Sequence, residues 1–119
     1  MLVDFEESFI NLTKNVLTLY NQLPTRDIVY PLGVFEVTIL PKHDLGHTIN
    51  CVRVLVDIWH NTTNTRELSH LVDNFIRVTN RVSIDKFYGK MHSIQNIPTQ
   101  EENLSRVQII YDYKYIGGY

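Results

Sequence analysis

Apolar residues at Phe5, Phe9, Leu12, Val16, Leu19 and Leu23 fall in steps of four and three. That spacing places side chains on one stripe of an α-helix. It predicts a helix from roughly Asp4 to Gln22, with Asp4 capping the first turn and Pro24 ending it. Glu6 and Glu7 complement the positive end of its dipole. Between Ile28 and Leu40 the residues become β-branched and aromatic (Ile28, Val29, Tyr30, Val34, Phe35, Val37, Ile39), interrupted by Pro31 and Gly33. A short strand, a bend and a second strand are predicted there. The polar stretch from Pro41 to His47 reads as a loop.

Ile49 to Trp59 has the clearest period of two, with Val52, Val54, Val56 and Ile58 on one side. A face that is nearly all β-branched predicts packing against helices. The other side carries Cys51, Arg53, Leu55, Asp57 and Trp59. Such a mixed face with a large aromatic suits docking, and equally a tryptophan that covers the edge of its own core. After the polar turn from His60 to Thr63, Asn64 opens a second helix, and Glu67 is placed for a capping-box arrangement. Leu68, Leu71, Val72, Phe75, Ile76 and Thr79 trace its apolar stripe, and Asn80 ends it. Ile84 to Ile97 predicts a strand bent near Gly89, Pro98 to Asn103 a turn, and Leu104 to Ile116 a last strand. The expected fold is α+β: a mainly antiparallel β-sheet with two amphipathic helices packed on one face, in the order α-β-β-β-α-β-β. A single domain spanning 1–119 is expected.

Composition narrows the function classes. Thirteen acidic against eleven basic residues give a formal charge of −2, too balanced for a nucleic-acid footprint. The one cysteine, Cys51, lies in an apolar run and reads as a small buried residue. Asp4, Glu6 and Glu7 have the wrong sign for a secretory leader, and no apolar stretch reaches the ~20 residues of a membrane span. Use in a cytoplasm, or in a particle assembled there, is expected.

The chain is poor in catalytic signals. His43 and His47 flank Asp44, but Pro41 and Gly46 argue for a loop and no third ligand is near, so no metal or cofactor is expected. His60, His70 and His92 stand alone. There is no G-x-S-x-G elbow, and Gly117-Gly118 is the only glycine pair. Glu6-Glu7 and Glu101-Glu102 read as capping and turn charges. Tyr111, Tyr113 and Tyr115 share a face that could stack bases, although a half-buried core ladder with its hydroxyls at the rim accounts for them better. What remains is interaction, and the candidate contacts are His43, Asp44, His47, Trp59, Asn61, Tyr113, Tyr115 and Tyr119.

The layout of the chain resembles the tail-completion or tail-terminator (tail-to-head joining) proteins of long-tailed bacteriophages. The resemblance rests on an opening helix, the segment IVYPL near position 30, the strand CVRVLVDIWHN, the helix TRELSHLVDNFIRVTN and the closing strand SRVQIIYDYKYI. Its most recognisable part spans Val52 to Asn80, while the His-containing stretch 41–47 departs from the pattern. The resemblance implies a non-enzymatic virion protein, assembled in the host cytoplasm and placed at the head–tail junction. It implies a homohexameric ring that ends tube polymerisation, with the major tail tube protein on one side and a head-completion or neck protein on the other. DNA would pass its channel without specific binding. A head-completion or neck adaptor of the same connector, or an unrelated small α+β binding module, are the alternatives.

Overall fold

The computed structural model describes residues 2–44, 47–62 and 64–116. Helix α1 (Leu2–Thr13) buries Phe5 and Phe9 completely and ends well before Gln22. At its end the buried Thr13 hydroxyl donates back to the Phe9 carbonyl at 3.0 Å, and the amides of Val16 and Leu17 both donate to the Thr13 carbonyl. The apolar spacing continues to Leu19, which is buried along with Leu17, but Leu19 lies in a strand. Leu19–Tyr20 form β1, parallel to Gly33 and Val34 of β2 (Leu32–Asp44). The expected helix is therefore too long. β-branched Val16 and Thr18 follow the helix, and pairing with β2 outweighs a weak helical preference. Ile28 to Tyr30, expected as a strand, belong to an irregular segment instead.

The expected loop at 41–47 is a second correction. β2 continues to Asp44 and β3 (His47–His60) begins at His47, with Pro41 opposite Asn50 and Asp44 opposite His47. Polar residues are no obstacle to a ladder made of backbone amides. Pro41 is tolerated because, among the described residues, no second strand pairs with β2 beyond Val34, so no second ladder needs its missing N–H.

α2 (Thr65–Thr79) is capped as its sequence suggests. Asn64 Oδ1 accepts from the amides of Arg66 and Glu67, at 3.0 and 3.3 Å. The capping box is closed through a relay: the Asn64 amide donates to Thr62 Oγ1, and that hydroxyl donates to Glu67 Oε2. Asn80 ends the helix, and its Oδ1 accepts from the Met91 amide at 2.7 Å, tying the helix end to the sheet.

The expected single bent strand at 84–97 is a hairpin of β4 (Val82–Ile84) and β5 (Phe87–Ile97). Asp85 and Lys86 both take positive φ, the geometry of a two-residue hairpin turn, without the glycine that usually announces it. β6 (Ser105–Tyr115) completes a six-stranded sheet in the order β1-β2-β3-β6-β5-β4. Every pair is antiparallel except β1 with β2, so the mainly antiparallel α+β arrangement holds, with one parallel pair and a short extra strand.

Both helices cover one face. On it Val52, Val54, Val56 and Ile58 of β3 lie beside Val107, Ile109, Tyr111 and Tyr113 of β6, all buried. The rings of Phe5, Phe9, Phe35, Phe75, Phe87, Tyr111 and Tyr113 join in edge and stacked contacts 5.4–6.5 Å apart. The two tyrosines are fully buried, hydroxyls included. Thr79 Oγ1 lies 2.7 Å from the Phe75 carbonyl and 2.6 Å from the Tyr111 hydroxyl, while the Tyr113 hydroxyl donates to the Thr79 carbonyl. A carbonyl can only accept, so Thr79 gives its proton to Phe75 and Tyr111 donates to Thr79.

Burial pushes both phenols above their ordinary value, and the neighbouring Tyr111 adds to it for Tyr113. A pKa raised on folding contributes stability that is complete below the unfolded value of about 10 and is lost as pH rises past it. Urea melts should therefore be flat from about pH 8 to pH 10 and then fall by roughly 1.4 kcal/mol per pH unit for each tyrosine. The double variant Tyr111→Phe/Tyr113→Phe should lose most of that slope. A wild-type profile that stays flat to about pH 11 would contradict the burial of these hydroxyls.

Candidate interaction surface

The face of the sheet away from the helices is built from rows set by register. Leu32, Trp59, Arg106 and Ile97 form one row, and Val34, Asp57, Gln108 and Gln95 the next. Glu36, Leu55, Ile110 and Ser93 follow, then Thr38, Arg53, Asp112 and Lys90, then Leu40, Cys51, Lys114 and Tyr88. Both of its arginines in these rows are paired with carboxylates. Arg106 grips Asp57 with two bonds of 3.0 Å, its guanidinium carbon lies 5.0 Å from the Trp59 ring centre, and Gln108 adds a bond of 3.2 Å to Asp57. Arg53 holds Asp112 through bonds of 2.8 and 3.2 Å, and His92 Nδ1 lies 3.7 Å from the same carboxylate. The Asp112 hydrogen bond, reinforced by its charge, holds the Arg53 guanidinium above its ordinary value. The apolar pair Leu55 and Ile110 separates the two clusters. Bidentate pairs fix side-chain geometry more than they stabilise a half-exposed surface.

The contact residues expected from the sequence do not converge on one site. His43, Asp44 and His47 occupy the last register positions of the β2–β3 hairpin. That hairpin projects past the sheet body, because β6 pairs with β3 only from Cys51 onward. Trp59 and Asn61 lie at the opposite end of β3, with Trp59 half-buried beneath Arg106 and Asn61 exposed. The Asn61 amide donates to His60 Nδ1 at 3.0 Å, so the proton of the buried His60 sits on Nε2, which donates to Glu67 at 3.1 Å. Tyr115 is half-buried against Phe87, with ring centres 5.2 Å apart. Tyr113 faces the core and presents nothing to a partner. Tyr119 lies outside the described residues.

Three surface features went unseen in the sequence. Leu23, Ile28 and Val29, on the irregular segment before β2, are 47%, 41% and 73% exposed. The β-branched Ile28 and Val29 suggested a strand, and Leu23 the end of the first helix's stripe, which hid them. At the other edge of the sheet, Leu68, Val72, Ile94 and Val107 line a groove of about 330 Å³ between α2 and β5, with Ser69, Asp73, Gln95 and Asn96 at its rim. Finally, among the described residues no strand pairs with the outer edge of β2 from Phe35 to Asp44, nor with that of β5 from Lys90 to Ile97. A second depression of about 440 Å³ is lined by Arg81, Tyr88, Gly89, Lys90, Asp112 and Lys114. No three His, Cys, Asp or Glu side chains gather as a metal site among the described residues.

No protein-family model and no curated protein sequence matches the chain. Its fold is shared with a chain of the virion of a native gene transfer agent (GTA) particle, with a TM-score of 0.71 and 5% sequence identity. The superposition covers 98% of this chain and 95% of the other. At that identity the likeness establishes a common fold across the whole length.

Proposed function

We propose that this chain is a structural virion protein of a phage-like particle, one that forms a ring at the head-proximal end of the tail tube. There it ends tube polymerisation and joins tail to head. The observation that carries the reading is the full-length likeness to a chain of a gene transfer agent virion. The open sheet edges supply a mechanism for closure. β2, β3, β6 and β5 alternate in direction, so β2 and β5 run oppositely. A neighbour's β5 laid beside β2 would continue the sheet antiparallel, and head-to-tail contacts of this kind close into rings when the rotation permits.

In such a ring the working parts are interfaces rather than reacting groups. One rim meets the tube protein, the other the neck protein, and DNA passes between without being held. Carboxylates paired to arginines on the outer sheet face suit a wall that neither traps nor repels phosphates. The junction of head and tail is then the site of action, after assembly in the host cytoplasm.

Light scattering over a concentration series, alone and with purified tail tubes, tests the proposal. The expected result is a species about six times the 14.0 kDa chain mass, or a monomer that assembles only on tube ends. A chain that ignores tubes and instead binds the portal side of filled heads would be a neck adaptor. A concentration-independent monomer that binds neither would be an unrelated binding module.

A further inference from the structure

We infer that the apolar segment carrying Leu23, Ile28 and Val29 of one copy seats in the groove between α2 and β5 of the next copy; this rests on the ring reading above. The groove and the point where this segment enters β2 lie at opposite edges of the sheet and at the same level. Ile94 in the groove pairs with Ile109, which pairs with Val56, which pairs with Phe35; Asn96 leads likewise through Val107 and Ile58 to Gly33. The groove therefore stands level with Gly33–Phe35, and the apolar segment runs into β2 immediately before that point. β1 already pairs with Gly33 and Val34 on this edge, so a neighbour whose β5 continues the sheet along β2 from Phe35 onward brings its groove to β1 and the segment that follows it.

The surfaces match in chemistry. Three aliphatic side chains stand out from a segment that takes part in no strand, and the groove is floored by Leu68, Val72, Ile94 and Val107. Arg26 on the segment has no carboxylate partner among the described residues, and Asp73 on the groove wall has no cationic partner among them. An apolar knob on one edge and a matching pocket on the other give a heterologous contact that repeats from copy to copy. It also explains why Val29 is left exposed in the isolated chain while a groove of like character stays unfilled.

The test compares the wild type with Val29→Asp, Arg26→Asp and the charge swap Arg26→Asp/Asp73→Arg, by sedimentation over a concentration series. Val29 and Arg26 are exposed, so each variant should melt like the wild type. Val29→Asp should weaken association at least about tenfold, the equivalent of losing one buried aliphatic side chain. Arg26→Asp should weaken it less, and the swap should restore it. Oxidation of mixed Val29→Cys and Ile94→Cys chains should yield disulfide-linked dimers, the buried Cys51 staying unreacted. If the wild type assembles while Val29→Asp assembles equally well and the cysteine pair does not link, this contact is overturned and the ring stands. A wild type that stays monomeric at every concentration and on tube ends overturns both.

Discussion

Phe9→Ala is expected to remove about 3–5 kcal/mol of stability, the range for deleting a large aromatic from a packed core. Phe9 is fully buried on α1 and its ring meets five others: Phe5, Phe35, Phe75, Tyr111 and Tyr113, with centres 6.0–6.5 Å apart. These rings come from both helices and from two strands. No one neighbour can collapse into the gap without abandoning another contact, so the cavity term persists beside the transfer term. Against a typical total of about 5–15 kcal/mol, the variant would be marginal at 25 °C. Urea denaturation should show a lower midpoint with an unchanged slope. Leu12→Ala on the same helix, where the side chain is half out in solvent, should lose under about 1 kcal/mol. Equal losses for the two would mean that α1 does not seat on the sheet as described.

Gly89→Ala should also destabilise, by about 3 kcal/mol, the upper part of the range for overpacking. The sign is informative, because replacing a strand glycine with alanine ordinarily stabilises by roughly 0.5–1 kcal/mol. Gly89 lies in β5 opposite Tyr113, on the face beneath the helices. A Cβ there would collide with the Asp112 carbonyl oxygen and the Tyr113 ring, and would lie 2.6 Å from the Tyr113 Cα. Two of those obstacles are backbone atoms of the central strand, so the clash can be relieved only by moving β5 away from β6. Gly33 makes the contrast: a Cβ there meets the ends of the Leu17 and Leu19 side chains, which can rotate aside. Thermal melts should rank wild type above Gly33→Ala, and Gly33→Ala above Gly89→Ala. A raised melting temperature for Gly89→Ala would refute the close approach of β5 and β6.

The candidate surface was legible only in fragments. Trp59 and Asn61 read from the sequence as an aromatic on a mixed face and part of a polar turn, yet Trp59 is covered by Arg106, a residue that only strand register places beside it. Asp57 with Arg106, and Arg53 with Asp112, stand 49 and 59 residues apart in the chain. No local pattern announces such pairs. The exposed Ile28 and Val29 were masked by their own composition, since β-branched residues look alike whether they pair in a strand or wait for a partner.

The elements readable from sequence are those whose cause is local. The alternation from Val52 to Ile58 compels one buried face, because successive strand residues point to opposite sides. Asn64 starts α2 because its own side chain satisfies amides two and three residues on. The α+β class followed from such elements in order. Tertiary structure decided where two local states were nearly equal in free energy. Leu19 fits a helical stripe and a strand alike, and Gly33, which lets the 17–20 segment come close, made the strand the better burial. The polar 41–44 segment would serve as a loop or a ladder, and pairing with 47–50 settled it. The aromatic face of β6 was foreseeable, but the Thr79 hydroxyl and carbonyl that let Tyr111 and Tyr113 bury their polar ends arrive from α2, more than 30 residues earlier. Period and capping are properties of neighbouring residues; register, edge exposure and the satisfaction of buried polar groups belong to pairs that only the folded chain brings together.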